Sequence, residues 1–319
     1  PTPPALPTIG RDLGNSRQLT WIVTAYLLAA TAVTPLYGKF ADNAKAWYRR
    51  AQEHVLFMNH AIVNPPVDRS KAVDEVKDVF ITIQKETDSG IYVSGAKVVA
   101  TSSALTHYNF LGQNAAVPTH DTDLAVMFIA PMNAPGVKLL CRTSYEMMAS
   151  VMGSPFDYPL SSRFDENDAI FVFDNAFIPW EDVLFYQHTR AAAFIRQTLH
   201  RYSAFPFVQR TLSYADLIIG AALWNARQTG LDKQQAVQEK LTELAVWREG
   251  INAHLTASIV MAEKSPNGLL MPNQSLLMAG RCHALNNLPR MMHIARELCG
   301  GQICVTPDSA VFDHPETKK

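Results

Sequence analysis

Residues 78–101, DVFITIQKETDSGIYVSGAKVVAT, decide the fold class. Val79, Ile81 and Ile83 alternate with other residues at the period of a half-buried strand. Asp88-Ser89-Gly90 is turn chemistry, because glycine accepts backbone angles that a tight reversal needs. A second strand follows, with a further turn signal at Ser94-Gly95. Downstream, LAVMFIAP (124–131), GVKLLCR (136–142), AIFVFD (169–174) and NAFIPWEDVLF (175–185) extend this block of short strands to about Tyr186. That spacing argues for a barrel or sandwich rather than parallel βαβ units, and a central β-barrel is the expected form.

Outside the strand block the period changes. From Asn43 to about Asn64, Trp47, Ala51, Val55 and Met58 recur three or four residues apart, which predicts a helix. Asn64-Pro65-Pro66 should stop it, since proline has no amide donor and restricts its predecessor. After residue 190, LSYADLIIGAALWNARQTG (212–230), residues 236–263 and residues 274–298 carry apolar positions at helical spacing, and Gly300-Gly301 is a plausible C-cap. The whole is α+β, divided at 1–42, 43–69 (a helical remnant), 70–190 (the β-domain) and 191–319 (an incomplete antiparallel helical bundle).

The chain has 319 residues, 48% hydrophobic and 18% charged, enough to bury a core without disulfide or metal staples. With 28 basic and 29 acidic residues the net charge is −1, which leaves no clustered cation footprint for nucleic acid. Cys141, Cys282, Cys299 and Cys304 form no Cys-x-x-Cys pair, so buried, reduced thiols in a cytoplasmic protein are expected, with no metal. No Gly-rich phosphate loop, Rossmann fingerprint, HExxH or GxSxG motif occurs. Residues 21–38, WIVTAYLLAATAVTPLYG, reach the short limit of a membrane span, so membrane association stays open beside the cytoplasmic reading. The stretch 5–42, closing on GKFAD, resembles a major facilitator drug-export transporter segment and reads as a fusion or an anchor.

Five further stretches carry a second resemblance: NHAIVNPPVDRSK (59–71), residues 85–110, APMNAPGVKLLCRTSYE (130–146), GSPFDYPLSSRFDENDAI (153–170) and IPWEDVLFY (178–186). Together they resemble the 4-hydroxyphenylacetate 3-hydroxylase oxygenase family, from about residue 44 to the C-terminus. The resemblance implies an acyl-CoA dehydrogenase-like flavoprotein fold. It also implies a two-component monooxygenase in which a separate flavin reductase supplies FADH2. Reaction of that flavin with O2 gives a C4a-hydroperoxide, which hydroxylates a small phenol ortho to its hydroxyl. His60 matches the substrate-binding His, and the segment His60–Arg69, with Pro66, Val67, Asp68 and Arg69, is implied to lie along FAD. Thr101 is implied to set a hydroxyl donor against the flavin N5 edge. Gln113, Asn114 and Ala115 belong to the loop 112–121 implied to close over the substrate. Gly300 and Gly301 resemble the pair approaching the FAD pyrophosphate, and a plain helix stop fits them almost equally. Arg163, Asp165 and Glu166 read as a structural turn and ion-pair network rather than a catalytic cluster.

The family's homotetramer is implied as well. Its N-terminal Arg and Tyr, which grip the phenol oxygen, and its last helices have no counterpart here, so weak or no hydroxylation by this chain alone is expected. Two other readings stand beside this one. One is a catalytically dead or membrane-anchored fusion. The other is an enzyme like 4-hydroxybutyryl-CoA dehydratase, which would need an iron–sulfur cluster that these cysteines are not spaced to hold.

Overall fold

In the computed structural model, residues 38–113, 121–265 and 268–318 are described. They divide into two compact units, one of residues up to Leu199 together with those from Asp308 on, the other His200–Pro307.

The first unit opens with α1 (Gly38–His54), followed by β1 (Met58–Ala61), β2 (Thr82–Thr87), β3 (Gly90–Lys97) and β4 (Tyr108–Leu111). β5 (Val126–Pro131), β6 (Val137–Cys141), α2 (Tyr145–Met152), β7 (Ala169–Pro179) and β8 (Val183–Tyr186) complete it. The predicted helix over 43–64 thus ends ten residues early. Val55, at φ 50°, breaks it, and Met58–Ala61 pairs in parallel with β4 instead. Ladder hydrogen bonds to a strand fifty residues away outweigh the local helical spacing.

The strands do not close into the expected barrel. Two four-stranded sheets form, in the orders β1-β4-β5-β8 and β2-β3-β7-β6. Their inward faces share one core, in which Leu111, Val126, Phe128 and Val183 of one sheet join Ile91, Val93, Phe171, Phe173 and Ile178 of the other. Phe128 meets Phe173 edge-on at 5.4 Å. Between the sheets the backbones touch at an isolated antiparallel bridge, Val63–Val98. Alternation is the same in a sandwich and a barrel, and only edge pairing distinguishes them. β3 also bends at a bulge between Val93 and Gly95. Gly95 sits at φ 125°, where a Cβ would lie 2.1 Å from the Phe80 carbonyl oxygen, so this approach requires glycine.

α1 docks through polar anchors. Asn43 donates to the carbonyls of Trp180 (2.7 Å) and Val183 (2.8 Å). Trp47 Nε1 donates to the buried Asp182 carboxylate at 2.9 Å. Asp165 ties a second corner: it accepts from Arg142 (2.6 Å), the Ser144 hydroxyl (2.8 Å) and the Tyr145 amide, while Ser144 caps α2. The residues after Pro307 pack back onto this unit, with Ser309 donating to Asp157 through both its amide and its hydroxyl.

The second unit is helical: α3 (Thr189–Gln228) from His200 on, α4 (Gln235–Val260) and α5 (Gln274–Cys299), with a two-residue hairpin pairing Glu263–Lys264 and Leu270–Met271. Two apolar clusters hold it, Ala204, Val208, Ile251 and Leu277 in one and Ala215, Leu244, Met291 and Ile294 in the other. Arg201 donates to Glu263 (2.6 Å) and to the Pro272 carbonyl (2.8 Å). Small residues allow α4 and α5 to approach, so that His254 and His283 stack at 5.6 Å over Gly280 and Gly250.

The thiols are not buried as expected. Cys141, Cys282 and Cys304 are exposed, Cys299 is half-buried, and all four are free. Cys141 lies on edge strand β6, and Cys282 lies between the inward positions Gly280 and Ala284 of α5. Among the described residues no helix is long and apolar enough to cross a membrane, and the 21–38 run lies outside them except for Gly38.

Two substitutions to alanine should have opposite signs. At Gly280 a Cβ would sit 2.7 Å from His254 Cβ, so Gly280→Ala should destabilise by about 1–3 kcal/mol, more than the helix-propensity gain. Gly220 in α3 has nothing within 4 Å, and Gly220→Ala should stabilise by up to about 1 kcal/mol. Chemical denaturation of the two variants checks both. Burial holds Asp182 up at about 6, against the Trp47 hydrogen bond, while the ordinary value is 3.8. A raised folded value means that the group's contribution to stability is full below the ordinary value and is lost as pH rises through about 6. Asp182→Asn keeps an acceptor for Trp47, so the stability of the native chain relative to this variant should fall across that window. Urea midpoints at a series of pH values would show it.

Candidate functional site

Three chain segments leave regular pairing at one place. β1 runs on through Ile62–Asn64 into Pro65-Pro66, β3 runs on through Val98–Thr101, and β4 runs into Gly112-Gln113. The Val98 amide donates to the Val63 carbonyl at 2.9 Å, and the Gly112 amide to the Ala61 carbonyl at 3.4 Å.

His60 is half-buried on β1, opposite Phe110 of β4, rather than at a helix end. Its neighbour Asn59 links it to Thr101. The Asn59 side-chain oxygen accepts from the His60 amide at 2.8 Å, while its amide nitrogen donates to the Thr101 carbonyl. The Thr101 hydroxyl donates to Asp168 at 2.6 Å. A carboxylate can only accept, so that proton is committed, and Thr101 presents lone pairs rather than the expected donor.

Backbone strain gathers at the same place. Val99 has φ 54°, Ser102 58° and Asn167 44°. For a β-branched residue this is an outlier that costs on the order of 1–3 kcal/mol. Val99 is also 58% exposed, which leaves an apolar side chain open to solvent two residues before Thr101.

Behind these residues lies Lys97, fully buried on the face of β3 that also carries Ile91 and Val93. Its ammonium donates to Asn64 Oδ1 (2.6 Å), Gln113 Oε1 (3.0 Å) and the Ile62 carbonyl (3.5 Å). All three acceptors are neutral, so desolvation pushes Lys97 down to about 7. Gln113, expected on the substrate loop, is buried here: its amide nitrogen donates to the Leu124 carbonyl at 3.0 Å while its oxygen receives Lys97. Asn114 and Ala115 lie outside the described residues.

Pro66, Asp68 and Arg69 are exposed and Val67 is half-buried. Asp68 accepts from the Ser70 amide (3.0 Å) and hydroxyl (2.7 Å), and these bonds hold its carboxyl below the usual range. Gly300 and Gly301 belong to the helical unit. Gly300, at φ 62°, ends α5 with its amide donating to Arg296 and Glu297, and open space lies over both glycines.

The structure therefore links His60 to Thr101 through Asn59, and Gln113 to Asn64 of the segment after His60 through Lys97. Sequence reasoning missed Asn59 and Lys97, and also Asp168, which takes the Thr101 proton. The one available signal was a lysine in the alternating set of Ile91 and Val93, where an apolar residue is expected.

The family model for the 4-hydroxyphenylacetate 3-hydroxylase N-terminal domain matches residues 9–185, and that for the C-terminal domain matches 189–319. The first match takes in most of the stretch read as transporter-like. The 4-hydroxyphenylacetate 3-monooxygenase oxygenase component of Pseudomonas aeruginosa is 47% identical over 274 residues, which are 85% of this chain and 53% of that protein. The chain thus spans about half the length of the curated relatives it matches. A crystal structure of a 4-hydroxyphenylacetate 3-monooxygenase oxygenase component complexed with FAD and 4-hydroxyphenylacetate superposes with TM-score 0.83. The identity is 28%, covering 93% of this chain and 61% of the other. Butyryl-CoA dehydrogenase from Megasphaera elsdenii shares the fold at TM-score 0.61 and 13% identity, over 88% of this chain and 67% of the other. The fold is accordingly acyl-CoA dehydrogenase-like, and the chain belongs to the 4-hydroxyphenylacetate 3-hydroxylase family.

Proposed function

We propose that this chain belongs to the oxygenase component of a two-component, FADH2-dependent monooxygenase that hydroxylates a 4-hydroxyphenylacetate-like phenol ortho to its hydroxyl. The observation that carries this reading is the joining of His60 to Thr101 through the single side chain of Asn59. Overall, a phenol, O2 and FADH2 give a catechol, water and FAD.

The residues present fit the flavin. An exposed apolar Val99 two residues before Thr101, whose hydroxyl oxygen keeps its lone pairs, suits a flat ring with a polar edge. Because the Thr101 proton goes to Asp168, its oxygen can accept a hydrogen bond from N5–H, which reduced flavin has and oxidised flavin lacks. Pro66–Arg69 would lie along the same ring, and Gly300-Gly301, with open space above them, would admit a pyrophosphate. Bound reduced flavin supplies the activation of O2. His60 would hold the phenol oxygen and take its proton, which makes the ring carbon electron-rich where oxygen is delivered. Loop 112–121, with Gln113, Asn114 and Ala115, would exclude water.

A separate flavin reductase is the implied partner, and the cytoplasm the implied location. Exposed Met148, Val151, Phe156 and Phe164 on and after α2 support assembly into the family's homo-oligomer.

Anaerobic titration of the purified chain should show FADH2 held more tightly than FAD, and binding of neither would overturn the reading. With O2 and 4-hydroxyphenylacetate admitted, His60→Gln keeps a polar group but no base. Catechol formed per FADH2 oxidised should then drop about 10²-fold, with hydrogen peroxide making up the difference.

A further inference from the structure

We propose that Lys97 is a positioning residue whose buried ammonium ties the segment after His60 to the entry of loop 112–121. The inference deepens the reading given under Proposed function and rests on it for the identity of the ligands.

The geometry is that of a three-legged tie. Lys97 comes from β3, yet its donors go to two other segments: Ile62 and Asn64 on the exit of β1, and Gln113 on the exit of β4. Gln113 cannot turn away freely, because its amide nitrogen is spent on the Leu124 carbonyl, and this fixes its oxygen toward Lys97. The backbone alone joins these exits weakly, through the Gly112–Ala61 bond at 3.4 Å. Three acceptors match the three N–H groups of an ammonium, whereas a neutral amine would leave one acceptor without a donor.

A purely structural explanation fits poorly. A buried cation that faces only neutral oxygens among the described residues costs desolvation free energy that no ion pair there returns, and burial indeed lowers the proton affinity of this lysine. A methionine would fill the same space without that penalty. What the ammonium supplies, and methionine cannot, is a directed hold on both segments at once. Those segments carry His60 at one end and Gln113 at the other, so their mutual placement sets how a phenol sits against His60.

Hydrogen exchange on the full chain without added flavin tests the tie independently of activity. In Lys97→Met, exchange in peptides covering 58–64 and 108–113 should rise about tenfold or more, while Gln235–Val260 and Gln274–Cys299 are unchanged. Gln113→Met, which cuts one leg, should raise exchange at 108–113 alone, and it serves if Lys97→Met fails to fold. With FADH2, O2 and 4-hydroxyphenylacetate, Lys97→Met should raise KM about tenfold with kcat within a factor of about three, and Lys97→Arg should recover part of it. An even rise in exchange across both units, or none, would overturn the proposal. So would an unchanged KM in a protein that does hydroxylate. If native chain and variants alike fail to hydroxylate, the activity reading falls for this chain alone, and the exchange pattern still decides the tie.

Discussion

Where the two sheets meet, the chain leaves regular pairing while still enclosed, and every polar group turned inward there must find a partner inside the protein. Val98 and Val63 satisfy each other across the gap, Gly112 reaches Ala61, and Asn59 serves both a backbone amide and a backbone carbonyl. This constraint gives the region its geometry. A closed barrel would have met it with a continuous ladder. Two sheets bridged at Val63 and Val98 meet it with side chains, and those side chains converge on the segments that carry His60 and Thr101. The same enclosure explains the strain at Val99, Ser102 and Asn167. Each is turned out of the β region so that the amides of Ala100 and Ser102 can reach the carbonyls of Ala169 and Asn167.

Much of this was legible in the sequence, for identifiable reasons. Strands β2, β3 and β5 to β8 announce themselves through alternation and turn residues, because side-chain period is a local property, whereas the four-residue β4 was missed. Helices α4 and α5 do so through spacing and, for α5, a terminal glycine. β1 was hidden: Met58 falls in register with Trp47 and Ala51 by coincidence, and the ladder that claims it lies in β4. Barrel and sandwich share one alternation pattern, so closure could not be read. The cysteines were placed by residue type, whereas Cys141 is exposed because β6 is an edge strand.

Among the site residues, His60, Thr101 and Gln113 came from motif resemblance, and that resemblance placed them without their partners. Asn59 acts on a residue 42 positions away, Lys97 on residues 33 and 16 away, and Thr101 on one 67 away. No periodicity reports such pairings. Chemistry gave a single hint, since a lysine among inward-facing aliphatic residues must either find acceptors or lose its proton. The direction of the Thr101 bond was equally inaccessible, because it follows from Asp168 being an obligate acceptor rather than from anything near Thr101 in the chain.

That direction bears on selectivity. A hydroxyl free to rotate can donate to the bare N5 of an oxidised flavin or accept from the N5–H of a reduced one, and it discriminates poorly. Fixing the proton on a carboxylate 2.6 Å away removes the first option. Turning the hydroxyl round would strand a charged oxygen, a loss on the order of 1.5–3 kcal/mol, equivalent to roughly ten- to a hundredfold in affinity. On the proposed reading, a site that takes reduced flavin from another protein and releases it oxidised would gain from such a bias at both ends of its cycle. Asp168 would impose this bias without touching the ring, through one hydrogen bond whose donor and acceptor cannot exchange roles.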